Sequence, residues 1–266
     1  MTGHDDTIKR EFTKQAATFE DPTYSFADRR LMAWIEKHVP PEPGALVLDV
    51  AGGTGHMARA YAATAAAAIV VDLTEAMLAT GRAEARAEGR RNVLFMRGDA
   101  ANLDFVDESF DLVLCRFAVH HFERPEQQIG EMARVCRPGG RVAIVDLVAA
   151  DPVLAAGQDR IERMRDPSHA GVRSLPALRE LLERAGAPVF HETFHDRTLA
   201  LERWLAQANT PQSTADAIRT ELHSELEEGP PTGMRPVLRE GELQLTHRYA
   251  IAVGRKRPAG ERVSPL

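Results

Sequence analysis

The sequence predicts an α/β fold around a mainly parallel sheet, and the evidence is the patterning of residues 45–152. Short apolar runs alternate there with segments of helical length, which is typical of repeated βαβ units. The runs are nearly continuous, as expected for strands that helices cover on both faces. We therefore expect strands at Ala45–Val50, Ile69–Val71, Val93–Met96, Phe110–Cys115 and Val142–Val145.

Segments rich in helix-forming residues connect these strands and precede them. The connecting helices are expected at His56–Thr64, Glu75–Glu88 and Pro125–Val135. Upstream, helices around Lys9–Phe19 and Phe26–His38 would form an N-terminal helical cap of residues 1–40. The proline-rich segment 40–44 then forces an extended break before the first strand.

The remaining chain predicts further helices and two late strands. Ser174 and Gly186 bracket a helix at Leu175–Ala185, as N-cap and C-terminal glycine. A strand at Pro188–Phe194 follows, then two helices within residues 198–228, and a final strand at Glu242–Val253. The turn into the fifth strand is Arg137-Pro138-Gly139-Gly140-Arg141, and residues 65–68 are expected at a helix end or in a loop.

Composition narrows the function. The 266 residues are 44% hydrophobic, which predicts a packed core, and carry a net charge of −6. This net negative charge argues against binding to nucleic acid or to anionic membranes and favours a small-molecule partner. Two cysteines cannot make a disulfide framework, and no apolar run is long enough for a signal peptide or a membrane span. We expect a cytoplasmic protein; the oligomeric state stays open, a homodimer included.

A glycine-rich turn follows the first predicted strand. Leu48-Asp49-Val50 runs into Ala51-Gly52-Gly53-Thr54-Gly55, where glycines let the backbone approach a ligand and aim the next helix's N-terminal amides at it. A turn that only reverses the chain is the alternative. The segment Gly53–Ala58 also satisfies the dinucleotide fingerprint, so this motif alone does not choose the ligand.

Carboxylates stand at three strand ends and favour an adenosine-containing ligand. Asp72 follows the second strand and could accept hydrogen bonds from both ribose hydroxyls. Asp99 follows the third strand and could accept from an adenine amino group, although a surface-loop aspartate is the plain alternative. Asp49, before the glycines, suits a bound ammonium group, whereas a pyrophosphate would gain nothing from negative charge there.

Together these motifs resemble the class I S-adenosylmethionine-dependent methyltransferases, and most closely the ubiquinone/menaquinone biosynthesis C-methyltransferase branch, which is methyltransferase type 11-like. The resemblance covers about residues 45–150. The family's usual first glycine is Ala51 here. It rests on the ordered series Leu48–Gly55, Val71-Asp72-Leu73, Gly98-Asp99-Ala100, Phe110–Val113 and Arg137–Gly140.

The resemblance implies a Rossmann-like fold, a cofactor and a division of the chain. The sheet would have seven mostly parallel strands with the last one antiparallel. Residues 41–266 would form the methyltransferase domain, with an S-adenosyl-L-methionine-binding core at 45–150 and substrate-side insertions at 151–175 and 198–240. The residues implied to hold the cofactor are Asp49, Ala51, Gly52, Gly53 and Gly55 at the methionine end, Asp72 at the ribose, Leu73, Asp99 and Ala100 at the adenine, and Arg116 nearby.

Histidines are the candidate general bases. His120 and His121 follow the fourth strand, where ligands of an open parallel sheet bind, and either could deprotonate an acceptor. His169 lies in the segment Arg165-Asp166-Pro167-Ser168-His169, which is similar to a segment in some bacterial members of this branch. There Arg165 could hold an anionic group and His169 could move a proton. Packing histidines and a proline-led turn capped by Asp or Ser are the alternatives.

Other polar and aromatic residues favour structural interpretations. His191 and His195 share one face of a predicted strand, but no third ligand is near in sequence, so we expect no metal site. Trp34 and Trp204 more often anchor packing than line a pocket.

Two rival functions use the same motifs. An NAD-dependent oxidoreductase would need a pair such as Tyr-x-x-x-Lys, and none of the tyrosines has lysine four residues on. A non-methylating protein with the same cofactor pocket, such as a cyclase, stays open. The leading prediction is a methyltransferase that acts on carbon or oxygen of a small molecule, in specialised or quinone-like metabolism.

Overall fold

The computed structural model describes residues 3–21 and 27–258, so the predicted start of the second helix at Phe26 lies outside the described residues. Its centre is one sheet whose continuous path has the strand order β3-β2-β1-β4-β5-β8-β6, with β7 paired beside β8. The strands are β1 Leu46–Val50, β2 Ala67–Asp72, β3 Val93–Arg97, β4 Phe110–Arg116, β5 Cys136–Val148, β6 Val189–Ala200, β7 Val237–Arg239 and β8 Glu242–Arg255.

The strand directions divide the sheet into two parts. β1 to β5 pair in parallel, so their carboxyl ends meet at one edge. β8 runs antiparallel to both β5 and β6, as expected for the last strand. The path contains the seven expected strands, and β7 adds a short eighth strand in a hairpin with β8.

Helices cover both faces of the sheet. They are α1 Gly3–Gln15, α2 Arg29–His38, α3 His56–Tyr61, α4 Glu75–Ala87, α5 Pro125–Val135, α6 Ala155–Arg165, α7 Leu175–Arg184, α8 Leu201–Gln207 and α9 Gln212–Leu226. α2 and α3 pack on one face of the sheet, and α5 and α7 pack on the other. None of these described helices is both long and apolar enough to cross a membrane.

Residues of the predicted insertions build a separate small core. α6, α8 and α9 meet around buried residues such as Ile161, Trp204 and Ile218. No helix is predicted at α6, because its inward residues include the polar Gln158 and Glu162 and the apolar periodicity is weak. Trp204 is buried in this core, as expected for a tryptophan that anchors packing.

Three elements have boundaries that differ from the sequence prediction. Arg137–Gly140 is part of β5 rather than a turn before it; the register shifts between Phe110 and Leu112, and Gly139 has a φ of 75°. This irregularity explains the error, because a bulge needs the same glycine conformation as a turn. Ala67 and Ala68 pair with β1 and so belong to β2 rather than to a helix end. α1 begins and ends earlier than predicted, at Gly3 and Gln15.

Candidate active site

A cleft lies where the parallel strands end, beside the point at which β1 separates β2 from β4, and we call it the central cleft. It has about 1320 Å³ of free space and is open to solvent. Ligands of open α/β sheets bind at this kind of position. Of the residues predicted to bind a cofactor, the central cleft is lined by Ala51, Gly52, Gly53, Asp72, Leu73, Asp99, Ala100 and Arg116.

The glycine-rich turn forms the floor of the central cleft. Gly53 has a φ of 59°, a conformation that glycine adopts without steric cost. A Cβ on Gly52 would lie 2.7 Å from Cγ of Asp49, so only glycine fits there without a shift. Ala51 also has a positive φ, of 50°, at the position where the related family usually has glycine.

Asp49 lies behind this floor rather than on the cleft wall. It is 1% exposed, and its Oδ2 accepts a hydrogen bond from the backbone N–H of Ala58 at 3.2 Å. Its Oδ1 has no hydrogen-bond partner among the described residues. Burial raises the pKa of Asp49 to about 7, although the positive charge of Arg116 opposes the shift. A cationic group placed near this carboxylate would therefore be strongly favoured. Gly55, also predicted to bind the cofactor, lies at the start of α3, outside the lining.

Asp72 fixes the glycine-rich turn to the end of β2. Its Oδ2 accepts from the backbone N–H of Gly53 at 2.9 Å, and its Oδ1 accepts from that of Thr74 at 2.8 Å. Burial raises the pKa of this carboxyl group, and the two backbone donors oppose the shift. Each carboxylate oxygen has a second lone pair, so Asp72 can still accept hydrogen bonds from a ligand.

Asp99 and Arg116 occupy other parts of the wall. Asp99 is exposed, and its Oδ1 accepts from the backbone N–H of Ala101 at 2.8 Å. Arg116 ends β4, where its guanidinium carbon lies 4.9 Å from the ring centroid of Phe117. Burial lowers the pKa of Arg116 to about 10, although Asp49 opposes the shift, so this residue keeps its positive charge at neutral pH.

The predicted N-terminal cap supplies one wall of the central cleft, through α1 and the turn that follows it. The rings of Phe12 and Phe19 line the central cleft opposite the strand ends, and they lie 6.5 Å apart. Nε2 of His4 donates to the carbonyl oxygen of His121 at 2.8 Å, which ties α1 to the segment after β4. No local motif could reveal these contacts, because they join segments about a hundred residues apart.

The three predicted catalytic histidines form one cluster, but only His121 lines the central cleft. The ring centroid of His120 lies 4.2 Å from that of His121 and 5.5 Å from that of His169. Nδ1 of His120 contacts Oδ1 of Asp146 at 2.5 Å. Burial disfavours the charged ring, but the hydrogen bond and charge of Asp146 raise the pKa of His120 above its ordinary value.

His121 itself is buried between α1 and the segment after α6. Its Nδ1 lies 2.9 Å from the carbonyl oxygen of Ser168, and its ring meets that of Phe12 edge-on at 5.0 Å. Burial and the neighbouring charge of His120 lower the pKa of His121, so its ring is neutral at neutral pH.

The segment 165–169 is a compact turn behind the histidine cluster. Oδ1 of Asp166 accepts from the backbone N–H of Ser168 at 2.9 Å and from its hydroxyl at 2.5 Å. Nε2 of His169 contacts Asp159 at 2.8 Å, outside the cleft lining. Arg165 donates to the carbonyl oxygen of Trp204 at 2.8 Å and lies over its ring. These contacts are those of a proline-led turn capped by Asp166, which was the alternative to binding or catalytic roles for Arg165 and His169.

His191 and His195 lie at the sheet edge, away from the central cleft. His191 stacks on His38 of α2 with ring centroids 5.1 Å apart, and His195 lies 5.7 Å from the ring of Trp34. Within residues 3–21 and 27–258, no group of three or more His, Cys, Asp or Glu side chains is arranged to hold a metal ion.

Comparison with known proteins agrees with this fold. Residues 48–144 match the family described as a methyltransferase domain. The uncharacterized methyltransferase YcgJ of Bacillus subtilis is 31% identical over 218 residues, which are 82% of this chain and 86% of that protein. The crystal structure of YcgJ superposes with a TM-score of 0.78 at 27% identity, covering 86% of this chain and 99% of that one.

A second relative bears on the predicted branch. The ubiquinone/menaquinone biosynthesis C-methyltransferase UbiE of Roseobacter denitrificans is 38% identical over 119 residues, 44% of this chain and 46% of that protein. The fold is that of a Rossmann-like class I methyltransferase, as the resemblance implied. This chain belongs to the methyltransferase family.

Proposed function

We propose that this protein transfers a methyl group from S-adenosyl-L-methionine to carbon or oxygen of a small-molecule acceptor in the central cleft. The observation that carries the proposal is convergence: the glycine-rich turn and the side chains of Asp72, Asp99 and Arg116, from four separate strand ends, border one cleft. Membership of the methyltransferase family supports the reaction type.

The residues present fit an adenosyl sulfonium compound. Gly53 has no side chain on the side that faces the cleft, where a Cβ would lie 3.5 Å from the ring of Phe19, so a ligand can approach its backbone closely. Behind the floor, Oδ1 of buried Asp49, which has no hydrogen-bond partner in residues 3–21 and 27–258, favours a nearby positive charge, and the amino group and the sulfonium of the cofactor both carry one. Asp72 and Asp99 provide acceptors for ribose hydroxyls and an adenine amino group.

The bound cofactor would supply an electrophilic methyl group on a sulfur that departs uncharged. The protein's task is then to align the acceptor with that methyl group and to exclude water. The rings of Phe12 and Phe19 form an apolar wall suited to the second role. If the acceptor carries a proton at neutral pH, a general base must remove it, and His121, a neutral imidazole that borders the cleft, is suited to this role.

The apolar wall supports a largely apolar acceptor. Phe117 and Phe122 line the same cleft as Phe12 and Phe19. The relative UbiE is a C-methyltransferase of quinone biosynthesis, which supports a quinone-like or phenolic acceptor. Mass spectrometry of reactions with phenols, hydroxyquinones, enolisable dicarbonyls, amines and thiols would test this. Turnover confined to amines or thiols would contradict the proposed acceptor class.

Calorimetry tests the cofactor assignment. We expect S-adenosylmethionine and S-adenosylhomocysteine to bind and NAD not to bind; the reverse result would refute the proposal. Gly52→Ala should abolish binding, because its Cβ would overlap the Asp49 carboxyl group. Gly130→Ala is the matched control, since a Cβ at this position in α5 would meet no heavy atom within 4 Å.

A further inference from the structure

Histidine 121 is held by a hydrogen-bonded chain that ends at a buried carboxylate. The hydroxyl of Ser168 donates to Oδ1 of Asp166 at 2.5 Å, and the same hydroxyl oxygen lies 3.1 Å from Nδ1 of His121. Ser168 is fully buried, and Asp166 is 6% exposed. Because its proton points to Asp166, the hydroxyl presents a lone pair to Nδ1.

A backbone carbonyl also favours a proton on Nδ1 of His121. A carbonyl oxygen can only accept, and that of Ser168 lies 2.9 Å from Nδ1 of His121. Two acceptors therefore meet at Nδ1, which favours the ring form with its proton there. Nε2, on the opposite side of the ring, is left with its lone pair and has no hydrogen-bond partner among the described residues.

We propose, resting on the proposed function, that Asp166 and Ser168 are positioning residues that keep the proton of His121 on Nδ1, so that Nε2 can take a proton from the acceptor. In that step the acceptor's bond to hydrogen breaks and a new bond forms between the proton and Nε2. The freed electron pair of the acceptor bonds the methyl carbon, and the carbon–sulfur bond breaks with its pair on sulfur. The imidazolium thus formed is stabilised by Asp166 through Ser168.

Neighbouring charges affect the protonation of His120 and His121 differently. His120 is paired with Asp146, which favours positive charge on its ring, and positive charge 4.2 Å away disfavours protonation of His121. The negative charge of Asp166 opposes that effect and supports protonation. The titratable groups around His121 are His120, His169 and Asp166, with Asp146 behind His120 and His4 of α1 bonded to its backbone.

The ring form can be measured without any acceptor. In the full chain labelled with ¹⁵N-histidine, long-range proton–nitrogen correlation spectra distinguish the two neutral forms, and His121→Gln assigns the signal. We expect the proton on Nδ1 at pH 7.5, both with and without S-adenosylhomocysteine. A proton on Nε2, or a rapid mixture of the two forms, would overturn the proposal.

Variants test the role of the carboxylate and the hydroxyl. Asp166→Asn removes a negative charge, so the pKa of His121 measured by the same spectra should fall by about one unit. Ser168→Ala should shift it in the same direction, because the link to Asp166 is lost. An unchanged titration of His121 in both variants would refute the inference.

Matched controls separate these effects from loss of fold. Asp151→Asn removes a carboxylate that also accepts a backbone N–H, from Val153, and Ser174→Ala removes a hydroxyl that caps α7. Neither should move the titration of His121. Binding of S-adenosylhomocysteine reports folding in every variant. Its absence in the unmodified protein would refute the proposed function, whereas the ring form of His121 is measured independently of it.

Discussion

Removal of the Asp72 carboxylate should cost both stability and cofactor affinity. In Asp72→Ala the backbone N–H groups of Gly53 and Thr74 lose acceptors at 2.9 and 2.8 Å, and both residues are buried. An unsatisfied buried donor costs about 1 to 3 kcal/mol, so we expect the free energy of unfolding to fall by about 2 to 4 kcal/mol. Some relaxation of the turn keeps the loss below the full sum.

The affinity for S-adenosylhomocysteine should fall separately. If Asp72 accepts from two ribose hydroxyls, the variant loses about 1 to 3 kcal/mol of binding free energy, a factor of roughly 5 to 150 in Kd. Urea unfolding measures the first quantity, and calorimetry at a temperature where the variant is folded measures the second.

Asp99→Ala is the comparison for stability. Its Oδ1 accepts the N–H of Ala101, and the side chain is exposed, so the free energy of unfolding should change by less than about 1 kcal/mol. If Asp72→Ala unfolds like the unmodified protein, the carboxylate does not fix the turn. If the variant is folded and binds S-adenosylhomocysteine normally, the ribose assignment is wrong.

Three further outcomes are expected. Ala51→Gly should raise the free energy of unfolding by up to about 1 kcal/mol, since a φ of 50° strains alanine. A lower free energy of unfolding, measured with urea, would contradict this. His121→Gln should lower kcat by about a hundredfold and leave the Kd for S-adenosylhomocysteine within twofold, as kinetics and calorimetry would show. Burial opposes ionisation of Glu162, but His247 at 3.0 Å lowers its pKa to about 2. This pair therefore contributes stability above the ordinary pKa of 4.5 that is lost as pH falls towards 2; Glu162→Gln should flatten the stability profile between these values.

The sequence predicted the parallel half of the sheet because each of its strands contains a nearly continuous apolar run. Helix ends were also readable where a local signal exists, as at Ser174, whose hydroxyl accepts from the N–H of Ala177. α6 was missed because burial of Gln158 and Glu162 hides its periodicity. The β5 bulge was missed because glycine serves turns and bulges alike.

The convergence of the residues proposed to bind the cofactor was predictable for a geometric reason, which does not apply to the residues proposed to bind the acceptor. Parallel strands end at one edge, so Asp72 and Asp99 had to lie near each other once the strands were located. His120 and His121 are adjacent in sequence, yet one pairs with Asp146 and the other borders the cleft. That difference depends on β5, which no pattern around the histidines reveals.

The two halves of the central cleft therefore differ in how they are built. Backbone donors fix the cofactor half, as when Asp72 binds the N–H of Gly53, and such bonds leave little freedom for substitution. Side chains from α1 and from the turn after α6 build the other half, where Phe12 and Ser168 contact His121 from opposite elements. Since those two elements pack through side chains, they can change together without disturbing the glycine-rich turn. If the proposed function is correct, α1 and residues 166–168 should determine which acceptor is chosen, and the residues at the strand ends should determine the binding of S-adenosylmethionine.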